Sequence, residues 1–131
     1  MTTPGGIVLP TYAGKKVTGV IVRPNGLETL LTSGYAGPSL GVKGVPYMNG
    51  NIKSHVEAHV AIVMRRQGLL EATLYINKVP CPTQDPRSPG CMDALPHMLP
   101  AEARLRVVGP GGFDQTFVGL PDPGGISIRG L

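Results

Sequence analysis

Between residues 52 and 67 the apolar side chains Ile52, Val56, Val60, Val63 and Met64 return at the spacing of one helix face, and Gly68 follows where a left-handed C-terminal cap is expected. This stretch orders the rest of the chain, because β-type segments lie on both sides of it. Upstream, residues 17–22 and 27–31 flank Arg23-Pro24-Asn25-Gly26, and the Asn-Gly pair supplies the positive φ angles of a tight hairpin turn. Residues 32–50 hold seven Gly or Pro positions with Tyr35 and Tyr47 among them, so they read as a wrapping loop. Downstream, residues 72–76 read as a buried strand and 77–80 as a turn. Residues 91–99 read as a short helix that Pro96 kinks or ends, and residues 104–108 as another strand. The order β-β-α-β-α-β predicts an α/β sandwich in which helices cover a mixed sheet.

At 131 residues the chain is expected to be one domain, large enough to bury a core without covalent staples. With 19 Gly and 14 Pro it nears the range of unpatterned chains, but 41% hydrophobic content argues that the middle folds. The Gly/Pro-rich tail, 109–131, is expected to be loose or to form a weak edge hairpin around 113–118. Twelve Lys and Arg against eight Asp and Glu give +4, which favours a polyanionic partner without identifying one. Lys15-Lys16, Arg65-Arg66 and Arg104/Arg106 are pairs at most, each read as solvated surface. No apolar run approaches the roughly 20 residues that span a bilayer, and residues 1–4 lack signal-peptide character, so no membrane partner is expected and export would be directed from elsewhere.

Four polar residues carry the candidate chemistry: His55 and Glu57 at the predicted helix start, Cys81 after Pro80, and Cys91. Zinc takes imidazole nitrogen and thiolate sulfur, and a catalytic site keeps a fourth corner open for water. His55, Cys81 and Cys91 supply three ligands, and the H-x-E…P-C…C order is that of zinc-dependent base deaminases, in which the Glu carries protons. Plainer readings compete. Ser54-x-x-Glu57 has capping-box spacing, and a Cys81–Cys91 disulfide would contribute roughly 3 kcal/mol by chain entropy. Nine residues separate the cysteines, more than metal sites usually allow, so the excursion must bulge outward. Against the disulfide, Cys91 at a helix N-terminus is expected to be stabilised as thiolate. His59 is expected at the core edge and His97 at the surface.

The stretch His55-Val56-Glu57-Ala58-His59-Val60-Ala61-Ile62-Val63-Met64-Arg65-Arg66-Gln67-Gly68, with Leu74-Tyr75-Ile76-Asn77 and Leu99-Pro100-Ala101-Glu102, resembles the deaminases of bacterial polymorphic toxins, specifically the DddA-like cytidine deaminases. The resemblance covers roughly residues 10–110 and rests on the combination of segments. It implies a cytidine-deaminase-like three-layer sandwich, Zn2+ held by His55, Cys81 and Cys91, and Glu57 as catalytic acid/base. It further implies a monomeric toxin domain, secreted within a larger protein, delivered to the cytoplasm of a target cell and neutralised in the producer by a cognate immunity protein.

The implied reaction is hydrolytic deamination of cytosine to uracil in DNA. The family's double-strand-specific member carries an aromatic wedge between its cysteines, which this chain lacks, so single-stranded DNA is favoured and double-stranded DNA stands second. Tyr47 and Tyr35 are the candidates to stack on the extruded base, and Asn77 to hydrogen-bond the nucleotide, with loop packing and a turn as their plain alternatives. The rival classes are the same chemistry on RNA or free nucleosides, and a non-catalytic secreted binding module locked by a disulfide.

Overall fold

The computed structural model describes residues 1–81 and 90–131. The hairpin forms as expected: β1 (Thr18–Val22) and β2 (Glu28–Thr32) pair antiparallel, Thr18 opposite Thr32 and Val22 opposite Glu28. Its turn is closed by Gly26 N–H to the Arg23 carbonyl, 2.9 Å, with Gly26 at φ 88°. Then come α1 (Val56–Gln67), β3 (Glu71–Ile76), α2 (Cys91–Met98), β4 (Arg104–Val108) and β5 (Asp114–Val118). The sheet order is β2-β1-β3-β4-β5, antiparallel except for the β3–β4 pair. A parallel pair needs a crossover, and α2 provides it.

Alternation along the strands places the core. Leu31, Ile21, Leu74, Val107, Leu105 and Phe117 are buried, whereas Leu30, Arg104, Arg106 and Thr116 between them are exposed. Both helices pack against the apolar face and against each other: α1 contacts β1 and β2, and α2 contacts β5. The extended N-terminal segment is tied to β2 and to the exit of β3. Thr3 Oγ1 and Gly5 N–H donate to the Glu28 carboxylate, and Asn77 Nδ2 donates to the Pro10 carbonyl at 3.0 Å.

Gly19 sets the depth at which α1 rests on the sheet. A Cβ there would lie 2.7 Å from Val56 Cγ1 and 3.0 Å from Leu74 Cδ1, so only a residue without a side chain lets the first turn of α1 settle on β1.

The expected continuous helix from 52 to 67 is broken. A 3-10 turn, Ile52–Ser54, is followed by His55 in extended conformation (φ −78°, ψ 151°), and α1 begins at Val56. The physical reason lies in distant partners. An uninterrupted helix would use the Lys53 and Ser54 carbonyls to accept from residues 57 and 58. Instead Ser39 Oγ donates to the Lys53 carbonyl and Gly34 N–H to the Ser54 carbonyl at 2.7 Å. The break removes the capping box, because His55, not Ser54, caps α1, and no side-chain cap bond forms.

The tail is fastened along much of its length. Pro100 has no N–H to offer the Pro96 carbonyl, which accepts from Leu120 N–H at 2.7 Å instead. Arg65 holds the Met98 and Leu99 carbonyls at 2.7 and 3.1 Å while pairing with Asp122 at 2.9 Å. Farther on, Lys43 and Arg129 form an antiparallel bridge. The hairpin expected around 113–118 is present as β5, paired with β4.

Candidate active site

Four connections meet at one end of the sheet: the approach to β1, the exit from β2, the approach to α1 and the exit from β3. Together they enclose a cavity of about 350 Å³, in the size range of small-molecule sites. His55, Glu57 and Cys81 line it.

His55 caps α1 and is half-buried, and its extended backbone turns the imidazole toward the N-terminus of α2. Its Nδ1 lies 3.0 Å from Cys91 Sγ. Glu57, one residue into α1, is 4% exposed and is hydrogen-bonded to Cys91. Burial raises its pKa above the ordinary carboxylate value and outweighs its own backbone hydrogen bond, the Cys91 bond and the charge of Lys78. Desolvation, seconded by Lys78, lowers the pKa of His55, keeping the imidazole in the neutral form that a metal accepts.

Cys91 opens α2 after the cap Gly90 and is fully buried. The expected thiolate stabilisation by the helix N-terminus does not prevail. A terminal dipole is worth about 0.3–1 kcal/mol, whereas burial shifts a group by up to about 3–5 pK units. The thiol is accordingly pushed up, by burial first and then by Glu57 and Cys81. Cys81 is a free thiol whose carbonyl accepts from Met92 N–H at 3.1 Å, which binds the exit of β3 to the start of α2. Both cysteines are free thiols in this fold.

Among the described residues no three His, Cys, Asp or Glu side chains close into a metal-holding group. The donor types nevertheless suit zinc: the His55 imidazole and the Cys81 thiol line the cavity, and the fully buried Cys91 thiol touches His55. Their 3.0 Å separation is that of an imidazole–thiol hydrogen bond, shorter than the roughly 3.5 Å between two ligands of one tetrahedral zinc. The nine-residue excursion between the cysteines lies, save Gly90, outside the described residues.

The remaining candidates divide. Tyr35 lines the cavity and is 69% exposed at its mouth. Tyr47 lies outside the cavity lining, its ring stacked on His97 with centroids 3.9 Å apart and planes 4° from parallel. Asn77 is buried and structural: Oδ1 accepts from Thr18 N–H at 2.9 Å and Nδ2 donates to Pro10. Sequence reasoning did not single out Tyr12 or Lys78, and it read Lys15 and Lys16 as solvated surface, yet all four line the cavity. Tyr12 and Lys78 also meet each other, Nζ standing 5.0 Å from the ring centroid. The only signal for the three lysines was position, each beside a predicted strand end.

His59 is not at the core edge but wholly inside it, where it fastens the cavity wall. Nε2–H donates to the Gly34 carbonyl at 3.0 Å and Nδ1 accepts from Ser39 N–H at 3.2 Å, the pattern of a neutral imidazole. A Cβ on Gly37 would fall 2.3–2.5 Å from that ring, which cannot swing away without losing both bonds. Gly37→Ala is therefore expected to destabilise the protein by about 1–3 kcal/mol, read as a lower urea midpoint with unchanged slope.

A mixed sheet whose helix N-termini bring together an imidazole, a thiol and a buried carboxylate is a deaminase-like α/β architecture. The family model described as SCP1.201-like deaminase matches residues 5–120, and the chain belongs to that family. Comparison with curated proteins gives no match.

Proposed function

We propose that this domain is a zinc-dependent cytosine deaminase that converts cytosine to uracil in DNA, preferring single strands. The observation that carries the reading is that His55 and Glu57, which line an open cavity, meet the fully buried Cys91, with His55 Nδ1 and Cys91 Sγ 3.0 Å apart. His55, Cys81 and Cys91 are the residues to hold zinc, which supplies a water acidic enough to attack at neutral pH.

Glu57 does the proton work. Its buried carboxylate takes a proton from the attacking water and delivers protons to ring N3 and to the departing amine at C4, so that ammonia leaves and uracil remains. Its raised pKa suits this exchange, since a general acid–base works best near the operating pH. Tyr35 at the mouth offers a face on which the displaced base or its neighbour stacks. Extruding a base costs a few kcal/mol from a duplex and little from a single strand, which supports the strand preference. The toxin role, with delivery from a larger secreted protein and restraint by an immunity protein, belongs to the same proposal and is supported by the resemblance of the His55–Gly68 stretch.

Matched single-stranded DNA, double-stranded DNA, RNA and free cytidine, incubated with the purified domain and scored for uracil, test the substrate. Uracil is expected fastest in single-stranded DNA. Product in RNA or cytidine and none in DNA would overturn the reading.

A further inference from the structure

Building on the DNA-deaminase reading, we infer that Lys15, Lys16 and Lys78 form a phosphate clamp around the cavity mouth, selecting a polynucleotide over a free nucleoside. Three ammonium groups line a cavity whose one carboxylate is the buried Glu57. They come from the approach to β1 and the exit from β3, 63 residues apart at the widest, so the cluster exists only in the folded chain.

Several other cations are engaged within the protein. Arg23, Arg65, Arg66 and Arg106 are each bound to protein acceptors, and Lys53 Nζ donates to the Val42 carbonyl at 2.6 Å. Among the described residues the ion pairs are Arg65–Asp122 and Arg106–Asp114, and none involves a cavity lysine. Lys15 and Lys16 are exposed, and Lys78 is half-buried over the Tyr12 ring.

Cytosine itself is neutral and needs stacking and hydrogen bonds, not three positive charges. The phosphates on either side of a target nucleotide do need them, because they stay ionised outside the pocket while the base enters it. Lysine suits this task as a mobile point charge that follows a flexible backbone without demanding one bidentate geometry. The clamp and Glu57 share one cavity, so cationic side chains hold the strand while the carboxylate meets the base.

The test is equilibrium binding of a labelled single-stranded oligodeoxynucleotide carrying one uracil, the product, so that no turnover accompanies binding. Lys15→Gln, Lys16→Gln and Lys78→Gln are compared with wild type and with Arg104→Gln, which removes one equal charge from an exposed β4 position outside the cavity. Each lysine variant is expected to weaken binding about fivefold and to flatten the slope of log affinity against log salt by about 0.7, the increment for one phosphate contact on a single strand. Arg104→Gln should stay within about twofold of wild type with an unchanged slope. With a methylphosphonate backbone, which is uncharged, the lysine variants should match wild type.

Lysine variants that behave like Arg104→Gln would overturn the clamp, whatever the deamination assay shows. Normal lysine dependence with no uracil formed in DNA would instead overturn the DNA reading and leave the clamp in place for another polynucleotide such as RNA.

Discussion

Glu57→Gln is expected to reduce uracil formation by about 10²–10⁴-fold, the usual contribution of a positioned general acid–base, while the protein remains folded. Glutamine matches the volume of glutamate and its amide can either accept from or donate to Cys91, so the packing at the start of α1 survives. What disappears is a group able to gain and lose a proton at an ordinary pH. Glu57 is 4% exposed, and a buried carboxylate without a chemical task would be an expense in stability; its neutral replacement should therefore melt no lower than wild type. Single-turnover rates and a thermal melt on the same preparation check both halves. Full activity in Glu57→Gln would remove Glu57 from the reaction.

The second large effect concerns the metal. Wild-type protein is expected to carry about one zinc per chain, and Cys91→Ala almost none, with deamination abolished. Cys91 touches both His55 and Glu57, so its loss breaks the set at its centre. Because burial and Glu57 hold the Cys91 thiol up, it surrenders its proton readily only to a bound cation. Chelation should therefore lower the melting temperature of wild type and leave Cys91→Ala unmoved, since a ligand that binds only the folded state adds stability, about 2.7 kcal/mol at a hundredfold excess over its dissociation constant. Elemental analysis beside the melts decides it. Wild-type protein that is active and free of zinc would overturn the ligand assignment.

Much of this molecule was legible before its structure. The hairpin could be read because Asn25-Gly26 favours one local turn, and α1, from Val56 onward, because its apolar period and the Gly68 cap are local too. The α/β class and its mixed sheet followed from element order. Pairing His55 and Glu57 with Cys91 needed only the recognition that these residue types share one chemistry, and the fold puts all three in contact.

Other features were illegible because they depend on competition between distant groups. Nothing near Asn77 in the chain announces that Thr18 N–H and the Pro10 carbonyl will occupy its amide. Tyr47 looked as available as Tyr35 until His97, fifty residues on, came to lie against its ring. The tail looked loose because its composition is Gly/Pro-rich, but the acceptors and charges that hold it belong to α1 and α2.

By itself the sequence determined the segments and offered the candidate site residues, since turn formation, helical periodicity and side-chain chemistry are properties of neighbouring residues. Only the tertiary structure decided that His55 breaks the helix to face Cys91, and that three lysines of two distant segments line one cavity. Both depend on long-range geometry: carbonyls of residues 53 and 54 captured by Ser39 and Gly34, and strand ends that become neighbours only when the sheet pairs.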